Sequence, residues 1–477
     1  MTMNHIADAV VLDGSIAGAG TARVDPLIAA DAIVHCLERG DLPSVCAFFG
    51  DMQAADIADI LALLDQPHAR LALDQLPLEE RAEVFGYLPP ARQAQQVAGL
   101  RRKEIIELFH EMSADERADL FNVLPQAEQE RVLPALAQAE REDLRKLAAY
   151  PEGTAGAIMT SDYATLRAEL TARDAVEALR RIAPDAETIY SAFIVDEERR
   201  IVGVVSLRDL IVAAPSTRVA ELMETRVVMA RVEDTAKSAA DKIARYDINV
   251  LPVINGGDKL VGIITADDAM DVAEAESTEA FHRSGTVGHM TSSVRDAGIF
   301  LLFRKRVFWL VLLVFGNIFS GAGIALFEDT IAAHLALLFF LPLLIGSGGN
   351  AGAQSATLMV RALGTGDVIV RDWGRMLGRE IGVALLLGLV MALSVGTLGV
   401  LRGGAAIALV VSLTMVLIVM VGSVIGMSLP FILSRLRLDP ATASAPLITS
   451  IADACGVLIY FSIATLLLPG LVAGAAS

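Results

Sequence analysis

Pro342-Leu-Leu-Ile-Gly-Ser-Gly-Gly-Asn-Ala-Gly-Ala-Gln-Ser355 lies inside an apolar run, 331–360, and its reading decides the fold. About 20 apolar residues in a helix cross the hydrocarbon of a membrane, and this run is longer. Four glycines and a proline fall in it, which predicts an interrupted helix. Broken backbone at membrane depth is tolerated only inside protein or against water, and carbonyls freed there make an ion site. The alternative is close helix packing through small residues, which Gly346 and Gly349 also suit. Asn350 and Gln354, together with the glycines, point to a pore lining.

Outward from this stretch, further apolar runs cover 307–327, 379–401, 404–434 and 445–470, so five spans are expected. The second and fourth are long enough to tilt or bend. The chain of 477 residues is 54% hydrophobic, with mean hydropathy +0.53. That excludes an ordinary soluble enzyme and a disordered chain. Basic residues sit before the first span (Arg304, Lys305, Arg306), between the second and third (Arg361, Arg371, Arg375, Arg379) and between the fourth and fifth (Arg435, Arg437). The positive-inside rule then puts the amino terminus in the cytoplasm and the carboxyl terminus outside. Asp453 is the acid well inside a span, about 12 Å in from Ala445 at ~1.5 Å per residue. A charge there costs at least ~2.5 kcal/mol and marks an ion path by default. A buried, protonated Asp bonded to Ser or Thr is the other reading. Asp439, beside Arg437, is expected to cap the turn before Pro440.

Charge separates the halves. Residues 301–477 hold 10 Lys/Arg and 7 Asp/Glu, so of the net −18 the first 300 residues carry −21. Such a globule repels phosphates, which argues against a nucleic-acid partner, and attracts cations. Cys36, Cys46 and Cys455 form no disulfide framework, which suits a reducing cytosol. Residues 1–25 are small and polar, without a leader pattern, and are expected to be loose.

The acidic half holds two repeats. Glu80-Arg-Ala-Glu-Val-Phe-Gly-Tyr-Leu-Pro89 recurs as Glu116-Arg-Ala-Asp-Leu-Phe-Asn-Val-Leu-Pro125, a period of 36. With apolar residues at helical spacing, 26–150 reads as a small helical solenoid. From about 157 the pattern turns α/β. Val202-Gly-Val-Val-Ser-Leu-Arg-Asp209 matches Val261-Gly-Ile-Ile-Thr-Ala-Asp-Asp268 at an offset of 59, and Met159 and Met223 open the two copies.

This doubled pattern resembles a tandem of cystathionine-β-synthase (CBS) domains. The resemblance implies that Asp209 or Asp268 holds a nucleotide ribose, with Arg208 near phosphate or base; ATP or another adenine nucleotide is the ligand class. The other reading is a helix N-cap, Ser206 or Thr265, with the Asp in the first turn.

The span-two motif, Asp439-Pro-Ala-Thr-Ala-Ser-Ala-Pro-Leu-Ile-Thr-Ser-Ile-Ala-Asp-Ala-Cys-Gly456 in span five, and Tyr150-Pro-Glu-Gly-Thr-Ala-Gly-Ala-Ile-Met-Thr160 resemble the MgtE family of magnesium channels. The order of parts agrees over about 26–470. The resemblance implies a mainly α, polytopic membrane protein. Its parts are a flexible start (1–25), a helical solenoid (26–150), an α/β CBS pair (151–275), a linking helix (276–306) and a five-helix pore domain (307–477). It implies a homodimer with its pore on the two-fold axis in the cell (inner) membrane. There Asp453, with carbonyls at Gly346 and Gly349 and with Asn350, faces a largely hydrated Mg²⁺, an ion that dehydrates reluctantly. It also implies gating by cytosolic Mg²⁺ at Asp247, Asp268, Asp271 and Glu279. Three positions depart from the family: Ala353 replaces an Asn, Ala280 an acid, and Lys237 an acid that would pair with Asp247.

Other classes are an ion-coupled divalent cation transporter or exporter, an intramembrane zinc protease and a non-conducting sensor. Transporters often carry inverted repeats, and none is visible among the spans. The protease needs H-E-x-x-H, and no pair of histidines has that spacing, so no enzyme is expected. A sensor leaves Asp453 unexplained.

Overall fold

The computed structural model describes residues 25–50, 52–98, 100–285 and 298–475. The expected loose start lies outside the described residues except for Asp25, as does 286–297 of the expected linking helix. The chain divides after Glu274 into two compact units.

The first unit begins with short helices: α1 (Pro26–Arg39), α2 (Leu42–Phe49), α3 (Ala54–Leu63), α4 (Gln66–Leu73), α5 (Leu78–Tyr87), α6 (Pro90–Val97), α7 (Arg102–Glu111), α8 (Ala114–Val123), α9 (Gln126–Val132) and α10 (Gln138–Leu147). Asp25, Asp41 and Asp65 accept first-turn amide bonds, and a proline follows each inside its helix. That pairing of cap and proline sets where these helices start. The 36-residue period is a structural unit. The segment α5–Leu88-Pro89–α6 recurs as α8–Leu124-Pro125–α9. Gln93 Nε2 donates to the Phe85 carbonyl at 2.9 Å, and Gln129 Nε2 repeats the bond to Phe121 at 2.8 Å.

Next come two three-stranded sheets. The first orders β1 (Tyr163–Leu166), β2 (Thr188–Val195) and β3 (Ile201–Ser206); the second orders β4 (Ala230–Arg231), β5 (Val250–Ile254) and β6 (Leu260–Thr265). Each has a parallel pair followed by an antiparallel pair. Helices α11 (Ala172–Ile182), α12 (Leu207–Val212), α13 (Val219–Leu222), α14 (Ala236–Tyr246) and α15 (Ala266–Ser284) accompany them. The copies exchange their openings. Met159 lies over Gly262 of the second copy and Met223 over Gly203 of the first, and the glycines leave room for the thioethers. Thr160 bridges Ile263, and Val204 bridges Glu224. Phe193, Val250, Leu260 and Ile263 form a buried cluster joining the sheets. A larger core runs from Ala29 through Leu147 and Met159 to Ile264 and Ala269, so the helical repeat and the second sheet share one interior.

The second unit contains α16 (Ile299–Ala325), α17 (Glu328–Ala333), α18 (Ala336–Gly364), α19 (Trp373–Arg435) and α20 (Ala445–Ala475). Among the described residues four helical segments are long and apolar enough to cross a membrane. One of them, α19, has 63 residues and is not a single rod. Gly404 takes φ 79°, ψ −179°, and the chain reverses there. Gly388 packs against Val416, Gly396 against Ser412 and Gly399 against Ala408, as in an antiparallel hairpin. Ser412 Oγ closes it with a 3.2 Å bond to the Ala392 carbonyl.

The expected interruption of span two is absent. α18 is helical through Pro342 and all four glycines. Pro342 withholds one N–H from the helix, and the surrounding turns carry on. The glycines serve packing instead. Gly348 lies against Ile418 and Gly422, and Gly352 against Gly422, Gly426 and Ile448. A Cβ on Gly422 or Gly426 would run into the carbonyl of Gly348 or Gly352.

Candidate functional site

Asp453 stands about two turns into α20, half-buried, and its Oδ1 is buried with no hydrogen-bond partner among the described residues. A carboxylate oxygen held away from water without a donor is costly. An approaching cation offsets that cost. On α18, Gly346 and Asn350 are one turn apart and exposed. Gly349 is buried, and a Cβ on it would come within 2.8 Å of the Thr449 methyl on α20. The three residues therefore differ. Gly346 and Asn350 present an open face, while Gly349 seats α20 against α18. Because α18 is unbroken, the Gly346 and Gly349 carbonyls lie within a helical ladder rather than being freed.

At the start of α20, Asp439 caps the Pro440–Thr442 turn as expected, accepting the Ala441 amide at 2.8 Å. Its other oxygen accepts from Arg283, near the end of α15, and Arg283 also bonds Glu279. Arg283 escaped the sequence reading because its partner is 156 residues away.

The cytosolic candidates separate into groups. Asp268, in the first turn of α15, accepts a 2.5 Å bond from Thr265 Oγ1. Burial, followed by the Asp115 carboxylate, pushes its pKa up to about 7 despite that bond. Glu187 also rises to about 7, through desolvation and then Asp115, Glu116, Asp267 and Asp162. Its side chain keeps solvent access, so its shift weighs less in stability than that of Asp268. Glu116 is raised by burial and Asp115, and Asp271 by burial, Glu274 and Asp267. Tyr87 is raised by burial and by acids including Glu116 and Asp267. The end of α5, the start of α8 and the start of α15 thus meet around carboxylates that repel one another. Asp115 Oδ1 is buried without a hydrogen-bond partner among the described residues.

Asp268 and Asp271 therefore belong with Asp115, Glu116, Glu187 and Asp267. Asp247 instead ends α14 in the left-handed region, φ 52°, a conformation Asp tolerates. Glu279 is bonded to Arg283. Asp115, Glu116 and Glu187 were missed. Asp115-Glu116 stands one repeat after Glu79-Glu80, and each pair reads as acids favouring a helix start. The orphaned oxygen and the raised carboxylates fit a divalent cation. Among the described residues no three acidic, His or Cys side chains converge tightly enough to hold a bare ion.

Arg208 and Asp209 are exposed at the start of α12. Ser206 Oγ caps that helix, accepting the Asp209 amide at 3.0 Å, and donates to Asp209 Oδ2 at 2.6 Å. The capping reading is thus realised at Ser206 and leaves Arg208 and Asp209 open to a ligand, whereas at Thr265 the amide and the hydroxyl both donate to Asp268 Oδ2.

Comparison with known proteins follows the same division. Residues 341–463 match the MgtE family model, described as a divalent cation transporter. Residues 52–153 match the MgtE intracellular N domain, and 155–216 and 219–275 match CBS domains. The magnesium transporter MgtE of Thermus thermophilus is 39% identical over 92% of this chain and 98% of its own length. That of Bacillus subtilis is 31% identical over 91% and 96%. A crystal structure of the cytosolic domain of the Mg²⁺ channel MgtE in complex with ATP is 37% identical, with TM-score 0.49, over 51% of this chain and 99% of that one.

Proposed function

The chain belongs to the MgtE family of magnesium transporters, and on that premise we propose that it moves Mg²⁺ across the inner membrane into the cytosol. The observation that carries the path is Asp453, a half-buried carboxylate with an unpartnered oxygen inside a membrane-length helix. The open face of α18, with Gly346 and Asn350, lines the same path across a two-fold axis in a homodimer. Gly349 holds α20 in register behind it. The hairpin at Gly404 supports five crossings, with α19 contributing two, and the basic loops support a cytoplasmic amino terminus.

Regulation resides in the first unit. Its helical repeat, read as a solenoid over 26–150, and the CBS pair over 151–275 share a core and meet at the carboxylate cluster. Without cations Asp115, Glu116, Asp268 and Asp271 repel; Mg²⁺ between them draws α8 and α15 together and closes the path. Asp209 and Arg208 provide a separate place for an adenine nucleotide, the carboxylate accepting from ribose hydroxyls.

Mg²⁺ uptake into proteoliposomes under an inside-negative potential tests the path. Wild type takes up Mg²⁺ and Asp453→Asn does not. Equal uptake in both removes Asp453 from the path; no uptake by folded wild type removes the transport reading.

A further inference from the structure

The geometry points to Arg283 as a positioning residue for gating, a fixed internal cation that ties the end of α15 to the entry of α20. This rests on the reading of the chain as a gated Mg²⁺ path. Arg283 bonds Glu279 one helical turn earlier and Asp439 at the foot of the last membrane helix. All three side chains are partly buried. Left alone, the two carboxylates would repel. A planar guanidinium has donors enough for both, which a single ammonium serves less well. Near the C-terminal end of α15 the positive charge also suits the helix dipole.

Asp439 is divided between two tasks. Oδ1 accepts the Ala441 amide and Oδ2 takes Arg283. Any pull on Arg283 therefore acts on the cap of the Pro440–Thr442 turn, and Ala445 opens α20 three residues beyond it. That helix carries Asp453. A guanidinium between two carboxylates does the bridging work of a divalent ion and stays in place at every Mg²⁺ level. The contact biases the path towards one state independently of the ions bound in the cytosolic unit.

The test uses the full chain in proteoliposomes, with Mg²⁺ flux read against Mg²⁺ on the cytosolic face. Arg283→Gln and Asp439→Asn each shift the half-closing Mg²⁺ concentration by about threefold, the scale of one partly exposed ion pair. Asn keeps the cap on the turn. The double variant shifts it no further than either single one, and Arg283→Lys falls between Gln and wild type. An unchanged half-closing concentration in Arg283→Gln, or additive shifts in the double variant, overturns the proposal. A second readout needs no transport: in EDTA, chymotrypsin cuts after Phe281, which is 76% exposed, faster in Arg283→Gln than in wild type. Equal rates overturn the tie even if wild type carries no Mg²⁺.

Discussion

The two CBS copies carry the same motif in different surroundings. Asp209 stands at the surface, while Asp268 is largely buried within electrostatic reach of the Asp115 carboxylate. Both Asp residues make the same bond to the hydroxyl three residues back. One is left open to a ligand from solution; the other is driven to about 7 by burial and a neighbouring carboxylate. A motif thus fixes local geometry, and the packing partner decides what that geometry binds.

Asp268→Asn breaks the contrast most strongly. It raises the Mg²⁺ needed to protect the intact protein from proteolysis by about tenfold to a hundredfold, the scale of losing a metal-site group. Without Mg²⁺ the variant is no less stable, because a repelling charge is gone. Asp209→Asn leaves the Mg²⁺ midpoint unchanged and weakens adenine nucleotide binding, read by calorimetry.

Gly203→Ala and Gly262→Ala sharpen the comparison from the other side. Each new methyl presses on a Met thioether, Met223 at 2.8 Å or Met159 at 2.6 Å. Each also meets a carbonyl, Glu224 at 3.1 Å or Thr160 at 2.8 Å, and main chain gives way less than a flexible Met, so each is expected to destabilise by about 1–3 kcal/mol, Gly262→Ala the more. Losses of the same order in thermal unfolding, the larger at Gly262, mean that the copies match as scaffolds while differing as sites.

pH separates them further. The folded pKa of Asp268 lies above its unfolded value of about 3.9. Its contribution to stability is full below about pH 4 and is lost as pH rises through about 7. In EDTA, protease protection of the first unit falls between pH 5.5 and 8. Mg²⁺ restores more at pH 8 than at 5.5, where protons compete. Asp268→Asn weakens this profile, and what remains comes from Asp119 and Glu187, which burial and neighbouring acids also raise to about 7. The smallest effect is the cap: Ser206→Ala costs about 1 kcal/mol and leaves the Mg²⁺ response alone.

Where sequence reading succeeded, the signal was local or periodic. The 36-residue repeat reappears down to the Gln93 and Gln129 bonds, and the 59-residue offset became two sheets of the same order. The cap at Asp439 was legible because an Asp directly before a proline marks a helix start, although its second bond, to Arg283, was not. The glycines of span two misled because composition does not say what stands opposite them. Gly422 and Gly426 supply the answer, and they lie some 70 residues further on. Asp115 and Arg283 were hidden for the same reason: each acquires its role only when distant segments meet.

The contact of Gly348 and Gly352 with Gly422 and Gly426 has a mechanical consequence. Where Gly422 and Gly426 on the second arm of α19 rest on the carbonyls of Gly348 and Gly352 on α18, main chain lies on main chain, and no side chain is left at those points to act as a bearing. A change of register by one residue, a rise of about 1.5 Å with a turn of about 100°, would bring Ser423 and Met427 to the carbonyls that Gly422 and Gly426 now meet. The pair should tilt as one plate, so a widening of the path has to come from hinges at its ends.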